Sequence, residues 1–239
     1  MLDGLQLSDR RGWSERCLRS QPCRPQATKH DPECVPEPCS DQKLTGHFGC
    51  FQPLDASHNV VYVPKKYSIL NLKPVYQILA NNLFCEDSVN FIRSSGYIKN
   101  LNVHEAKIDG VDFDFSNIKI DNVTVSKVSN DCIDMSYGNY NINEINVSDC
   151  GDKGISVGEK SNFKGNNINI KNSLIGVATK DSSKSKINIL KIKNTELCAA
   201  TYRKKQEFYG ADMTIDNFLC DKNEIYYQNG SNLKIINEL

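Results

Sequence analysis

The stretch "CGDKGISVGE", residues 150–159, sets an Ile155-Ser156-Val157 alternation between two glycines, and its meaning emerges when it is laid over its neighbours. "DGVDFDFSN" from 109, "DCIDMSYGN" from 131, "KGISVGEKS" from 153, "IGVATKDSS" from 175 and "LCAATYRKK" from 197 follow one another at steps of 22 residues. One column then reads Gly110, Cys132, Gly154, Gly176, Cys198 and Cys220. The next reads Val89, Val111, Ile133, Ile155, Val177 and Ala199, and two residues further on come Phe91, Phe113, Met135, Val157, Thr179 and Thr201. Six successive small or apolar members in parallel columns are the mark of an internal repeat, which decides a fold before local propensity does.

A second set of columns keeps the step. Leu101, Val123 and Ile145 stack, as do Val103, Val125 and Val147, after which one inserted residue moves the phase to Ile168 and Ile170, then Leu190 and Ile192. Each repeat therefore holds at least two short strands of apolar-polar alternation. Asn100, Asn122, Asn172 and Asn194 read as the turns between them, because a short amide side chain tolerates left-handed backbone angles. A 22-residue step fits a leucine-rich repeat or a parallel β-helix. The framework is Val and Ile alternating on both halves of the repeat, without the Leu and Asn spacing of the former, so the β-helix is favoured. The predicted fold is all-β, a right-handed parallel β-helix solenoid of about seven coils. Tyr67, Ile69 and Leu79 read as its first coil, and the tail "IYYQNGSNLKIINEL" as a cap over its last open edge.

Composition divides the chain near residue 58. Arg10, Arg11, Arg16, Arg19 and Arg24 and six of the eight prolines precede that point, whereas the first asparagine of the chain is Asn59. Two segments are expected, a Cys/Pro/Arg-rich leader at 1–58 and the β-helix with its C-terminal cap at 59–239. The leader holds too little apolar surface for a core, and disorder is the expectation. Cys17, Cys23, Cys34, Cys39 and Cys50, with His30 and His47, leave zinc binding or disulfides as alternatives, although no C-x2-C pair is present. The 239 residues balance 29 basic against 29 acidic side chains, so net charge implies no nucleic-acid partner. No run of about 18 apolar residues is present, so membrane insertion is not expected, and residues 1–30 show no apolar signal core.

The repeats from about 88 to 220 resemble the right-handed parallel β-helix of the pectin-lyase-like superfamily. More narrowly, Asp114-Phe115-Ser116, "GDKGISVGE" at 151–159, "IGVATKDSS" at 175–183 and "YRKK" at 202–205 are similar to the β-helix segment of some bacterial surface proteins that carry a spore-coat-type (CotH-like) kinase domain. No nucleotide-binding motif of such a kinase occurs here. The resemblance implies a cell-surface or extracellular setting, and for the superfamily's enzymes it implies cleavage of acidic polysaccharides. Their motifs do not transfer. Asp131, Asp134 and Asp152 match an acidic pattern, but His104 is the only histidine after residue 58, and Arg203 has no diagnostic context.

The repeat nevertheless makes definite neighbours of residues 22 apart. Asp112 and Asp134 share an outward column with Ser156, at a spacing where two carboxylates hold a hard cation such as calcium or divide acid and base roles. Asp109, Asp131 and Lys153 form another column, in which Asp131 and Lys153 read as a surface ion pair worth under about 1 kcal/mol. Asp114, Ser136, Gly158, Lys180 and Tyr202 form a third, with Glu159, Asp181, Lys204 and Lys205 at the same corner. Cys132, Cys198 and Cys220 read as small buried thiols, and stacking of Cys198 over Cys220 would also put that pair within the Cα range of a disulfide.

Two functions follow. The first is a non-catalytic module of a bacterial surface or envelope protein that binds carbohydrate or a partner protein through Asp114, Ser156, Glu159, Asp181, Tyr202 and Lys204, without a cofactor. The second is a polysaccharide lyase or glycoside hydrolase using Asp112, Asp134, Lys153 and Lys180, with calcium on the two aspartates.

Overall fold

A computed structural model of the chain describes residues 75–83, 87–222 and 224–239. The leader at 1–58, with its five cysteines, and the proposed first-coil residues Tyr67 and Ile69 lie outside the described residues. In chain order the strands are β1 (Val75–Leu83), β2 (Asp87–Ile92), β3 (Ser95–Ala106), β4 (Asp109–Asp114), β5 (Asn117–Val128), β6 (Ile133–Ser136) and β7 (Asn139–Cys150). They continue as β8 (Lys153–Gly158), β9 (Asn162–Lys180), β10 (Lys184–Tyr202), β11 (Asp212–Cys220), β12 (Ile225–Tyr227) and β13 (Asn232–Glu238). Every pairing is parallel, and the described residues form an all-β parallel solenoid of about seven turns.

The coils from β1 to β8 each have a long strand and a short one, which β9 and β10 run together as single strands, and hydrophobic alternation places both. In β5, Ile118, Ile120, Val123 and Val125 point inward and Asn117, Lys119, Asn122 and Thr124 outward. Asp121 and Asn122 are consecutive outward residues, so the phase slips by one there and the strand bends. A second slip at Ser126 and Lys127 ends the face. Left-handed backbone angles fall at this end, at Glu105, Lys127, Asp149, Asn172 and Asn194, and again after the short strand at Arg93, Phe115, Tyr137, Glu159 and Asp181. Asn172 and Asn194 are thus the turn residues expected, whereas Asn100 and Asn122 stand in extended strand at the bend. Glu and Lys occupy the left-handed corner in other coils, because the ladders on either side of it fix the backbone.

The abundance of asparagine has a second cause. Side chains 22 or 23 residues apart stand one coil apart, the distance an amide spans to donate to the next amide. Asn139 Nδ2 donates to Asn117 Oδ1 at 2.7 Å and Asn162 Nδ2 to Asn139 Oδ1 at 3.1 Å, and Asn143, Asn166 and Asn188 form a parallel ladder. Inside, Leu101, Val123, Ile145, Ile168 and Leu190 stack as one fully buried column, beside the paired rings of Phe91 and Phe113. Ile133, Ile155 and Val177 stack on successive turns, as the repeat requires.

Three details differ from the expectation. Leu79 faces away from the core, and its neighbours Ile78 and Ala80 are the buried pair over Leu101 and Val103. Cys220 does not extend the column of Cys198: Lys184 pairs with Asp212, a step of 28, so Cys220 lies over Ile192 instead. The cysteines are also not free thiols, since Cys132 bonds to Cys150 and Cys198 to Cys220. The tail pairs in parallel with β10 and β11 as one more, shorter coil, leaving Ile225, Tyr226 and Tyr227 exposed.

The inward and outward positions carry opposite expectations for mutation. Ile145→Ala is expected to cost about 2–5 kcal/mol in urea unfolding, since its column has no room to collapse along the axis. The adjacent outward Asn146→Ala is expected to change stability by about 0.5 kcal/mol or less. Equal costs at the two positions would contradict the assigned faces.

Candidate functional site

The outward side of the short strands gathers most of the ionisable residues that the repeat brings together. Asp112 pairs in register with Asp134, and Asp134 with Ser156. Asn90 precedes them, its Nδ2 donating to Asp112 Oδ2 and Asp87 Oδ2, both at 3.2 Å. Along the neighbouring column the carboxylates serve the backbone. Asp109 Oδ1 accepts from the Asp131 N–H at 2.9 Å and from Asn130 Nδ2 at 2.7 Å, and Asp131 Oδ1 accepts from the Lys153 N–H at 3.0 Å. Lys153 Nζ returns to Asp131 Oδ1 at 3.3 Å and also bonds Asp152. Asp131 and Lys153 are only 4% and 6% exposed, so this is a buried ion pair and not the solvated one expected. Removing Lys153 would strand the Asp131 carboxylate away from water, whereas removing Asp131 would leave Lys153 its bond to Asp152.

Asp114, Ser136 and Gly158 stand in register, and Lys180 and Tyr202 pair one coil further on. Gly158 is required by what crosses it. A Cβ there would come within 2.9 Å of Lys180 Cε. Without it, the buried Lys180 stem runs back across the coil, its Nζ donating to Ser156 Oγ at 2.7 Å and facing Asp134 Oδ1 at 3.9 Å. The corner assembles as the sequence suggested, but through the backbone: Asp181 Oδ1 accepts the N–H groups of Lys204 at 2.7 Å and Lys205 at 2.8 Å. Glu159 Oε1 pairs with Lys205 Nζ at 2.5 Å, and its other oxygen accepts from Ser136 Oγ.

An excursion at residues 203–211 was missed by the repeat arithmetic, and it accounts for the step of 28. The signal was present: "DMTIDNF" at 212–218 repeats the alternation of "KSKINIL" at 184–190. The excursion is held by reciprocal bonds between Ser182 and Tyr209 and by Phe208. The Phe208 ring meets the edge of Tyr137 at 6.1 Å and lies under Lys160, while Tyr137 stacks on Phe115 at 4.6 Å.

Electrostatics divides the face into two halves. Burial, with the charges of Asp114 and Asp134 next, pushes the Asp112 carboxyl up to about 9, and burial pushes Asp109 up to about 7. Burial and then the charges of Asp134 and Glu159 raise Asp114, which shares a hydrogen bond with Asp112. Two carboxyls this close hold a proton between them. On the other half, burial works against charge on Lys153 and Lys180, but the surrounding groups together, Asp131 with Asp152 for the first and Asp134 with Asp131 for the second, outweigh it and keep both ammonium groups charged. The charge of Lys180, then burial, lowers Lys204. Burial raises the Tyr202 phenol against the pull of Lys180 and Lys153.

These environments limit the chemistry. A serine bonded to a lysine suggests a nucleophile and its base, yet Ser156 is wholly buried and Lys180 is held protonated. His104 bonds Ser126 on the exposed long face, away from the short strands. Among the described residues no three His, Cys, Asp or Glu side chains converge into a metal-binding group. Comparison with known protein families, with curated proteins and with solved structures finds no match for the chain.

The retained protons fix a sign. An unfolded aspartate loses its proton near pH 4, whereas folded Asp109 and Asp112 keep theirs to about 7 and about 9, so the folded state binds more protons between these limits. Their contribution is therefore whole below about pH 4 and declines as pH rises through those values, by at most about 1.4 kcal/mol per pH unit for each retained proton. The urea midpoint is expected to fall between pH 5 and pH 9. Asp112→Asn, neutral at every pH, should flatten that fall and be no less stable than the parent at pH 8. A parent midpoint that rises with pH would refute the assignment. Gly158→Ala is expected to move Lys180 away from Asp134 and cost about 1–3 kcal/mol, and the added loss should vanish in a Lys180→Ala background, where no side chain crosses the glycine.

Proposed function

We propose that the chain is a non-catalytic β-helix module of a bacterial surface or envelope protein, binding carbohydrate through the outward face of its short strands. The observation that carries this reading is the placing of fixed acceptors and donors on adjacent coils: Asp112, Asp114 and Asp134 on one half, Tyr202 and Lys204 on the other, with Lys153 and Lys180 buried behind them. Vicinal sugar hydroxyls donate to a carboxylate and accept from an ammonium or phenol, and groups already held in place lose little entropy when they do so. A partner protein with mixed surface charge is the other occupant this face suits. Burial and ion pairing of both inner lysines support a binding role over a catalytic one, because neither is free to take up a proton. The two disulfides agree with an oxidising, extracytoplasmic setting.

One observation favours a second reading, a lyase or hydrolase of an acidic glycan. Asp112, which retains its proton near neutral pH, stands beside Asp134, and glycoside hydrolysis uses a pair of carboxyls of which one donates a proton.

An array of uronic-acid glycans, with and without Ca²⁺, separates the readings. The parent is expected to retain a glycan without releasing product. Asp112→Asn with Asp134→Asn should weaken retention at least tenfold while leaving the fold intact by circular dichroism. Release of new reducing or unsaturated ends would establish the enzyme instead, and retention unchanged in the double variant would remove this face from the function.

A further inference from the structure

In the five coils from Gly110 to Cys198, the small-residue corner where the short strand begins is filled in one of two ways. Where the corner residue is glycine, an aliphatic side chain occupies the space: a Cβ on Gly154 would lie 2.7 Å from Ile170 Cγ2, and one on Gly176 2.5 Å from Ile192 Cδ1. A Cβ on Gly110 would similarly meet Val125 Cγ1 at 2.6 Å and Val128 Cγ2 at 3.2 Å. Where the corner residue is cysteine, the facing residue is also cysteine. The two exchanges occur together, at Cys132 with Cys150 and at Cys198 with Cys220.

The two cystines are not equivalent. Cys150 belongs to the column of Ala106 and Val128, so Val147 still fills the Val125 and Ile170 position of its own coil. Cys220 instead occupies that aliphatic position itself, directly over Ile192. If its bond opens, no Val or Ile remains to pack the corner. This is also the coil that the excursion leaves, since Cys198 is four residues before Tyr202 and the chain returns at Asp212 to reach Cys220.

We propose that Cys198 and Cys220 are positioning residues for the excursion at 203–211, and through it for Tyr202, Lys204 and Lys205 on the outward face. The bond between them substitutes for the glycine and isoleucine contact of the preceding coil, and Cys132–Cys150 has no such local role. The consequence for binding rests on the proposed function of that face; the consequence for the excursion does not.

Hydrogen–deuterium exchange of the full chain, read on peptides covering 203–211, tests this without any ligand. A dithiol reduces the cystine by giving two electrons and two protons, so the Sγ–Sγ bond becomes two thiols while the dithiol closes to its own disulfide. Reduction, or Cys220→Ala with Cys198→Ala, is expected to speed exchange at the Lys204, Lys205 and Tyr209 amides at least tenfold. Cys198→Gly with Cys220→Ile, which rebuilds the corner of Gly176 and Ile192, should restore slow exchange with no disulfide present. Cys132→Ala with Cys150→Ala should leave 203–211 unchanged. Parent-like exchange in the Cys198/Cys220 alanine variant, equal loosening by the Cys132/Cys150 variant, or no rescue by the glycine–isoleucine pair would each overturn the proposal. A parent that retains no glycan counts against the proposed function alone.

Discussion

Everything in this molecule depends on the parallel backbone ladder between successive coils. The hydrogen bonds of one strand go to the coils before and after it, so no coil satisfies its own backbone and none is stable alone. That requirement holds the circuit near 22 residues, with steps of 23 between β1 and β3 and between β7 and β9 and of 20 between β11 and β13. Wherever the chain departs further, as between Tyr202 and Asp212, it must leave the stack and return in register. Ladder spacing also dictates which side chains meet, and at one coil apart like meets like. Valine packs on isoleucine inside, asparagine bonds asparagine outside, and aspartate is forced beside aspartate on the short face.

The electrostatic character of the short face follows from that enforced proximity. Asp112, Asp114 and Asp134 cannot separate without breaking the ladder, so repulsion is relieved by retaining a proton and by the Lys180 ammonium reaching across Gly158. Lys180 and Lys153 are in turn tied to the carboxylates that hold them charged, which leaves Lys204 in the field of its neighbours and easier to neutralise. The face is thereby a rigid arrangement of paired charges, and its rigidity comes from the stack and not from the strength of any one pair.

Much of this was legible along the chain, and the exceptions are instructive. The partnerships of Asp112 with Asp134 and of Asp114 with Ser136 follow from counting 22, since a backbone ladder converts sequence separation directly into vertical distance. The placing of Cys220 failed because six extra residues between two regular strands are invisible to a fixed step. The exposure assigned to Asp131 and Lys153 failed because alternation says which side of a strand a residue is on, not what lies over that side. Asn100 and Asn122 looked like Asn172 and Asn194, yet only the latter pair carries left-handed angles, since the bend at Asn122 is a slip of phase within extended backbone.

Periodicity along the chain specifies the solenoid, its step, most of its core columns and most of its vertical neighbours. Where the side chains go once stacked is set by the folded coils. Lys180 crosses Gly158 to reach Ser156, Asp181 fixes the excursion through the N–H groups of Lys204 and Lys205, and the cysteines pair across the corner between faces. Those contacts join different faces of the coil, whose relation to one another is set by the bends between strands, and bends leave no period in the sequence to read.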